Sequence, residues 1–152
     1  MKTTFLLSFL LFIAAITKAQ TTNPNYDAEL AKSLGADDYG MKPYVLVLLK
    51  TGENMTASKE ETNQAFAGHM ENIQRLVKEK KLIVAGPLGK NDQTYRGIFI
   101  LDVPTIEEAK TLVQTDPAVK ENLLAIELFQ WYGSAALKEY LPASDKIWKT
   151  EP

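Results

Sequence analysis

The chain has 152 residues, 45% of them hydrophobic, with 17 basic and 19 acidic side chains, one histidine and no cysteine. That length supports one domain with a sizeable core, and the slightly negative balance with scattered basic residues argues against nucleic-acid binding. The lack of cysteine excludes a disulfide framework and a cysteine-linked lipid, so packing alone must hold the fold.

Lys2 gives a positive n-region, and Phe5 to Ile16 is an apolar stretch interrupted only by Ser8. Thr17-Lys18-Ala19 follows as a small-residue cleavage site. Residues 1–19 therefore read as a secretory signal peptide, too short to span a bilayer comfortably, with an uncleaved anchor as the alternative. The expected product is secreted or periplasmic. Without Lys2 and Lys18 it carries 15 basic against 19 acidic side chains, a net charge of −4.

Residues 20–42 form a polar extension in which Asp27 to Leu34 reads as a short helix stopped by Gly35. The domain proper is expected over residues 43–132, followed by a tail, 133–152. Tyr44 to Leu49 is an apolar strand bounded by Pro43 and Thr51-Gly52. Ser58-Lys59-Glu60-Glu61 has the form of a capping box and opens a helix running to about Lys80. Leu82 to Ala85 is a second strand closed by Gly86-Pro87, and Arg96 to Val103 a third. Thr105 caps a second helix with Ala109, Leu112 and Val113 on its apolar side. Leu123 to Trp131 is a fourth strand. The order βαββαβ predicts an α+β, ferredoxin-like fold: a four-stranded antiparallel sheet with both helices on one face.

Those strands are apolar on both sides, which leaves the second face of the sheet bare. A second copy under twofold symmetry would cover it, through Phe99, Leu101, Phe129 and Trp131. Alternatively the tail covers part of it, since Ala135 to Leu141 reads as a short amphipathic helix and Trp148 lies beyond.

The single histidine, His69, falls within the apolar stripe of the long helix. At roughly 100° per residue it lies about 60° from Phe66, between Ile73 and Leu76. It is either a satisfied core histidine or a general acid or base in a small pocket. Asp116, before Pro117, reads first as an N-cap with proline at the first helical position. Antiparallel helices would also bring it beside the N-terminal half of the first helix, where a carboxylate can fix the imidazole tautomer. A working pair should border a cavity between helix and sheet.

Gly68-His69-Met70 followed by Leu76, Leu82-Ile83-Val84-Ala85-Gly86-Pro87, Arg96-Gly97-Ile98-Phe99 and Thr115-Asp116-Pro117 occur in that order across Tyr44 to Trp131. In these pieces the chain resembles the YciI-like (YCII-related) proteins. The resemblance implies a dimeric α+β barrel with an active site between helix and sheet, built on a histidine and an aspartate that match His69 and Asp116. It also implies lyase-like chemistry, since a few relatives are dehydrochlorinases acting on hydroxylated aromatic rings. The signal segment and both tails depart from cytosolic members.

Other candidates carry two readings each. Gly86 and Pro87 end a strand or shape a substrate pocket. Arg96 is solvated or binds a substrate carboxylate. Trp131 packs an interface or stacks on a ligand. One histidine and no cysteine leave no ligand spacing for a metal, and no serine has a nucleophile-elbow context. The sequence thus points to a cofactor-free enzyme of lyase or isomerase type, likewise a homodimer. The alternative is a non-catalytic binding or structural module on the same fold.

Overall fold

The computed structural model describes residues 23–150; the expected signal segment lies outside them. The core is a four-stranded antiparallel sheet in the order β2-β3-β1-β4, formed by β1 (Met41–Thr51), β2 (Leu82–Pro87), β3 (Tyr95–Leu101) and β4 (Leu124–Ser134). Two helices, α2 (Lys59–Lys78) and α3 (Ile106–Val113), complete the βαββαβ order. Outside it lie α1 (Ala28–Leu34), the single turn α4 (Pro117–Lys120), a 3₁₀ helix over Ala135–Tyr140 and α5 (Leu141–Ser144).

Helix starts follow local chemistry. Ser58 accepts from the Glu61 amide while the Glu61 carboxylate accepts from the Ser58 amide, so the capping box is complete. That backbone bond holds the Glu61 carboxyl below its ordinary range. The Thr105 and Asp116 side chains cap α3 and α4 by accepting from the Glu108 and Ala118 amides, without the reciprocal bond.

Alternation sorts the strand residues onto two faces. Val45, Val47 and Leu49 of β1 sit opposite Leu101, Phe99 and Gly97 of β3. With Leu76 of α2 and Ala109 and Val113 of α3 they form the buried core. Leu46 and Leu48 pair with Ile100 and Ile98, and Leu46 with Phe129, on the other face. Phe99 and Leu101 therefore belong to the helix-covered face, and the open face carries Ile98 and Ile100 instead. A period of two separates the sides of a strand without labelling which side the helices take.

Part of that open face is covered. Tyr44 is fully buried there, its ring centroid 5.5 Å from that of Trp131 and its hydroxyl donating to the Ser134 carbonyl. Burial pushes the Tyr44 phenol up to about 12, helped by Asp102. The 3₁₀ helix packs against α1 and β1, and Tyr140 Oη bonds the Ile83 carbonyl across the sheet end. Trp148 stays half exposed, and so does Phe129 at 47%.

Three strands are longer than the sequence suggests, β4 running on past Trp131 to Ser134. β1 continues back through Pro43, which pairs with Tyr132 of β4. β3 pairs with β1 only from Val45 onward, so Pro43 sits where β1 is locally an edge and loses no ladder bond on that side. β2 likewise runs through Gly86 and Pro87, opposite Ile98 and Gly97, rather than ending before them.

Candidate active site

α2 carries His69 inward against the sheet, at 9% exposure. Its ring stacks on Phe99 of β3, with centroids 5.9 Å apart and planes at 21°. Phe66, one turn earlier, meets the ring edge-on at 6.0 Å. Between them the two phenyl rings fix the imidazole plane.

Asp116 has no exposed surface. Its carboxylate divides its two oxygens between two partners. Oδ1 accepts from the Ala118 amide at 2.9 Å, which is the cap of α4. Oδ2 lies 2.5 Å from His69 Nδ1. With the carboxylate accepting, Nδ1 is the protonated ring nitrogen. Among the described residues Nε2 has no hydrogen-bond partner, yet it is not sealed in: the orphaned buried side-chain polar atom among them is Asn72 Nδ2. The arrangement leaves one imidazole nitrogen anchored and the other open, which suits accepting and returning a proton.

The approach of α4 to α2 depends on Gly68. A β-carbon there would come within 2.7 Å of Pro117 Cγ, so only glycine lets Pro117, and Asp116 before it, settle against the helix.

Asn72 and Arg75, absent from the sequence expectations, and Thr115, noted there only within Thr115-Asp116-Pro117, lie beside the pair. Asn72, three residues past His69 and 7% exposed, accepts from Arg75 Nη2 at 2.8 Å. Arg75 Nη2 also reaches Thr115 Oγ1 at 2.8 Å, and Thr115 Oγ1 is 2.9 Å from Asn72 Oδ1. A polar residue inside the apolar stripe of α2 was the available signal.

The remaining candidates lie elsewhere. Trp131 packs on Tyr44 on the sheet face opposite Phe99. Arg96 is exposed and borders a cleft of about 350 Å³ with Lys90, Asn91 and Tyr95. Gly86 and Pro87 occupy the end of β2 and line neither cleft. A larger cleft of about 720 Å³ opens between the β1–α2 loop and α4, bordered by Glu61, Ala65, Gly68, Glu71, Pro117 and Glu121 among others. Its walls include the chain neighbours of the pair, Gly68 and Pro117, but neither His69 nor Asp116. Periodicity turned His69 inward but carried no information about voids. Among the described residues no group of three His, Asp or Glu side chains is placed to hold a metal, and no helix is long and apolar enough to cross a membrane.

The model of the YCII-related domain family matches residues 44–132. An uncharacterized protein of Bacillus subtilis (strain 168), YjpA, is 32% identical over 78 residues, covering 51% of this chain and 88% of that protein. Two solved structures are also similar. One is the 5-chloro-2-hydroxyhydroquinone dehydrochlorinase TftG of Burkholderia phenoliruptrix AC1100, in complex with 2,5-dihydroxybenzoquinone. It has 20% identity and a TM-score of 0.42, over 57% of this chain and 92% of that one. The other is a dimeric protein of unknown function and ferredoxin-like fold from Bacteroides fragilis NCTC 9343. It has 14% identity and a TM-score of 0.36, over 60% and 97% of the two chains.

Proposed function

The chain belongs to the YCII-related domain family, and from that premise we propose a small-molecule enzyme of lyase or isomerase type in which His69 and Asp116 move a proton without a cofactor. The observation that carries this reading is the 2.5 Å contact between His69 Nδ1 and a fully buried Asp116, with Nε2 left without a partner among the described residues. Asp116 orients the ring and supports positive charge on it as Nε2 takes a proton from substrate. Phe66 and Phe99 beside the ring favour a partly apolar substrate, such as an oxygenated ring.

A second reading uses the same anchored ring without proton transfer: the protein binds a small molecule without turning it over, with Nε2 as a hydrogen-bonding group. Incubation with a panel of mono- and dihydroxylated aromatic compounds separates the two. Product formation that is lost in His69→Asn supports the enzyme; binding that is lost in His69→Asn, with no product from any compound, sinks it and supports the module.

Two further properties belong to this proposal. The chain is exported, its residues 1–19 acting as the signal segment. It also forms a homodimer through the open sheet face around Leu46, Leu48, Ile98, Ile100 and Phe129, of which Phe129 is half exposed and the others partly exposed in the single chain.

A further inference from the structure

Asp116 is fixed to its own segment by its cap to the Ala118 amide and by its backbone amide, which donates to the Val113 carbonyl. Neither bond ties that segment to α2, where His69 resides. Two contacts do. One is Pro117 against Gly68, an apolar surface contact with no directional preference. The other is polar: Arg75 Nη2 bridges Asn72 Oδ1 and Thr115 Oγ1, each at 2.8 Å, and Thr115 immediately precedes Asp116.

The guanidinium making this bridge is held from its other side. Arg75 Nη1 lies 2.8 and 2.9 Å from the two oxygens of Glu79, one turn further along α2. That fixes the plane of the fork and aims Nη2 at the bridge. Thr115 in turn sits 2.6 Å from the Leu112 carbonyl at the end of α3, so the tie reaches both helices.

Asn72 is the unusual member. Its Oδ1 is well bonded, but its buried Nδ2 has no partner. Such an orphan destabilises a fold, and leucine, of similar size, would avoid it. The amide thus weakens the core at this point while supplying the acceptor around which Arg75 and Thr115 gather.

We propose that Asn72 and Arg75 are positioning residues that hold Thr115, and through it the Asp116 carboxylate, in register with His69 along α2. This rests on the reading of His69 and Asp116 as the working pair, but its test does not depend on turnover. The single histidine gives one unambiguous imidazole, and its Nδ1 proton reports the contact with Asp116 directly by NMR.

In Asn72→Leu the melting temperature should stay level or rise, because the orphan is removed. Meanwhile the Nδ1 proton should move upfield and exchange with water faster by about two- to tenfold, the factor one ordinary hydrogen bond represents. Arg75→Ala should produce the same change at the imidazole, and Arg75→Lys should not restore it, since an ammonium lacks the planar fork. Should Asn72→Leu fail to fold, Arg75→Ala, which removes a half-exposed side chain, reads the same quantity. An imidazole signal unchanged in position and exchange in Arg75→Ala and in any folded Asn72→Leu overturns the proposal, whatever happens to stability. A wild type that turns over nothing, with the imidazole signal shifted in these variants, leaves the positioning intact and removes only the catalytic reading.

Discussion

Pro117 and Gly68 touch where α4 meets α2: a β-carbon at position 68 would lie 2.7 Å from Pro117 Cγ and 3.3 Å from its Cβ. The two residues are chain neighbours of Asp116 and His69, so their contact sets how closely the carboxylate-bearing turn can approach the imidazole-bearing helix. A glycine in the middle of α2 costs about 1 kcal/mol of helix propensity relative to alanine. Here that cost is offset by the close approach it permits.

Gly68→Ala should therefore destabilise the protein, against the usual effect of such a change. Overpacking costs roughly 1–3 kcal/mol, against the approximately 1 kcal/mol gained in propensity, so a net loss of about 1 kcal/mol is expected in denaturant unfolding. Stabilisation by about 1 kcal/mol, as for an ordinary exposed helix glycine, would contradict the close contact.

On the open sheet face Lys50 and Glu127 form a 2.8 Å ion pair, and Tyr95 Oη donates to the second Glu127 oxygen. The hydrogen bond from Lys50 holds the Glu127 carboxyl below its ordinary 4.5, and the bond to Glu127 holds the Lys50 ammonium above 10.5. A lowered carboxyl contributes stability that is present above its unfolded value and is lost as pH falls through the folded value. A raised ammonium contributes below its unfolded value and loses that contribution as pH rises through the folded one. The advantage of the wild type over Glu127→Gln should accordingly be steady from about pH 6 to pH 9 and shrink below 4.5. Unfolding of both proteins across that range checks it; an advantage that grows on acidification has the wrong sign.

The open face supplies the next outcome. Phe129 stands on the edge strand β4, opposite Leu46 and half exposed in the single chain. If a second copy covers it, Phe129→Asp places a charge in an apolar interface and costs several kcal/mol unless paired. Sedimentation should show a dimeric wild type at micromolar concentration and a monomeric or aggregated variant. A monomeric wild type would mean that the face is left as the single chain presents it.

How much of this was legible in the sequence depends on the range of each interaction. The Ser58 capping box and the Asp116-Pro117 turn are encoded within four residues and could be read directly. The inward placement of His69 followed from the helical period of Phe66, Ile73 and Leu76. The assignment of Phe99 and Leu101 to the open face failed because alternation is symmetric until the helices choose a side. The Arg75 bridge to Thr115 spans 40 residues and joins two side chains that each look solvated in isolation. The clefts likewise arise from the spacing of separate elements, which no local pattern carries.

Export has a simple readout. Cleavage after Ala19 should leave Gln20 as the first residue of the protein recovered from its native host, as mass spectrometry of the intact chain would show. An intact Met1 in the membrane fraction supports an anchor instead.

If His69 and Asp116 work as proposed, the imidazole keeps its proton on Nδ1, facing Asp116, and offers Nε2 to a ligand. Long-range nitrogen NMR of the single imidazole distinguishes the two ring nitrogens and can be repeated with each hydroxylated aromatic compound in turn. A protonated Nδ1 in the free protein is expected, with Nε2 moving on addition of a compound that binds and Nδ1 remaining bonded to Asp116. A proton on Nε2 in the free protein, or an Nε2 signal that no bound compound disturbs, would contradict it.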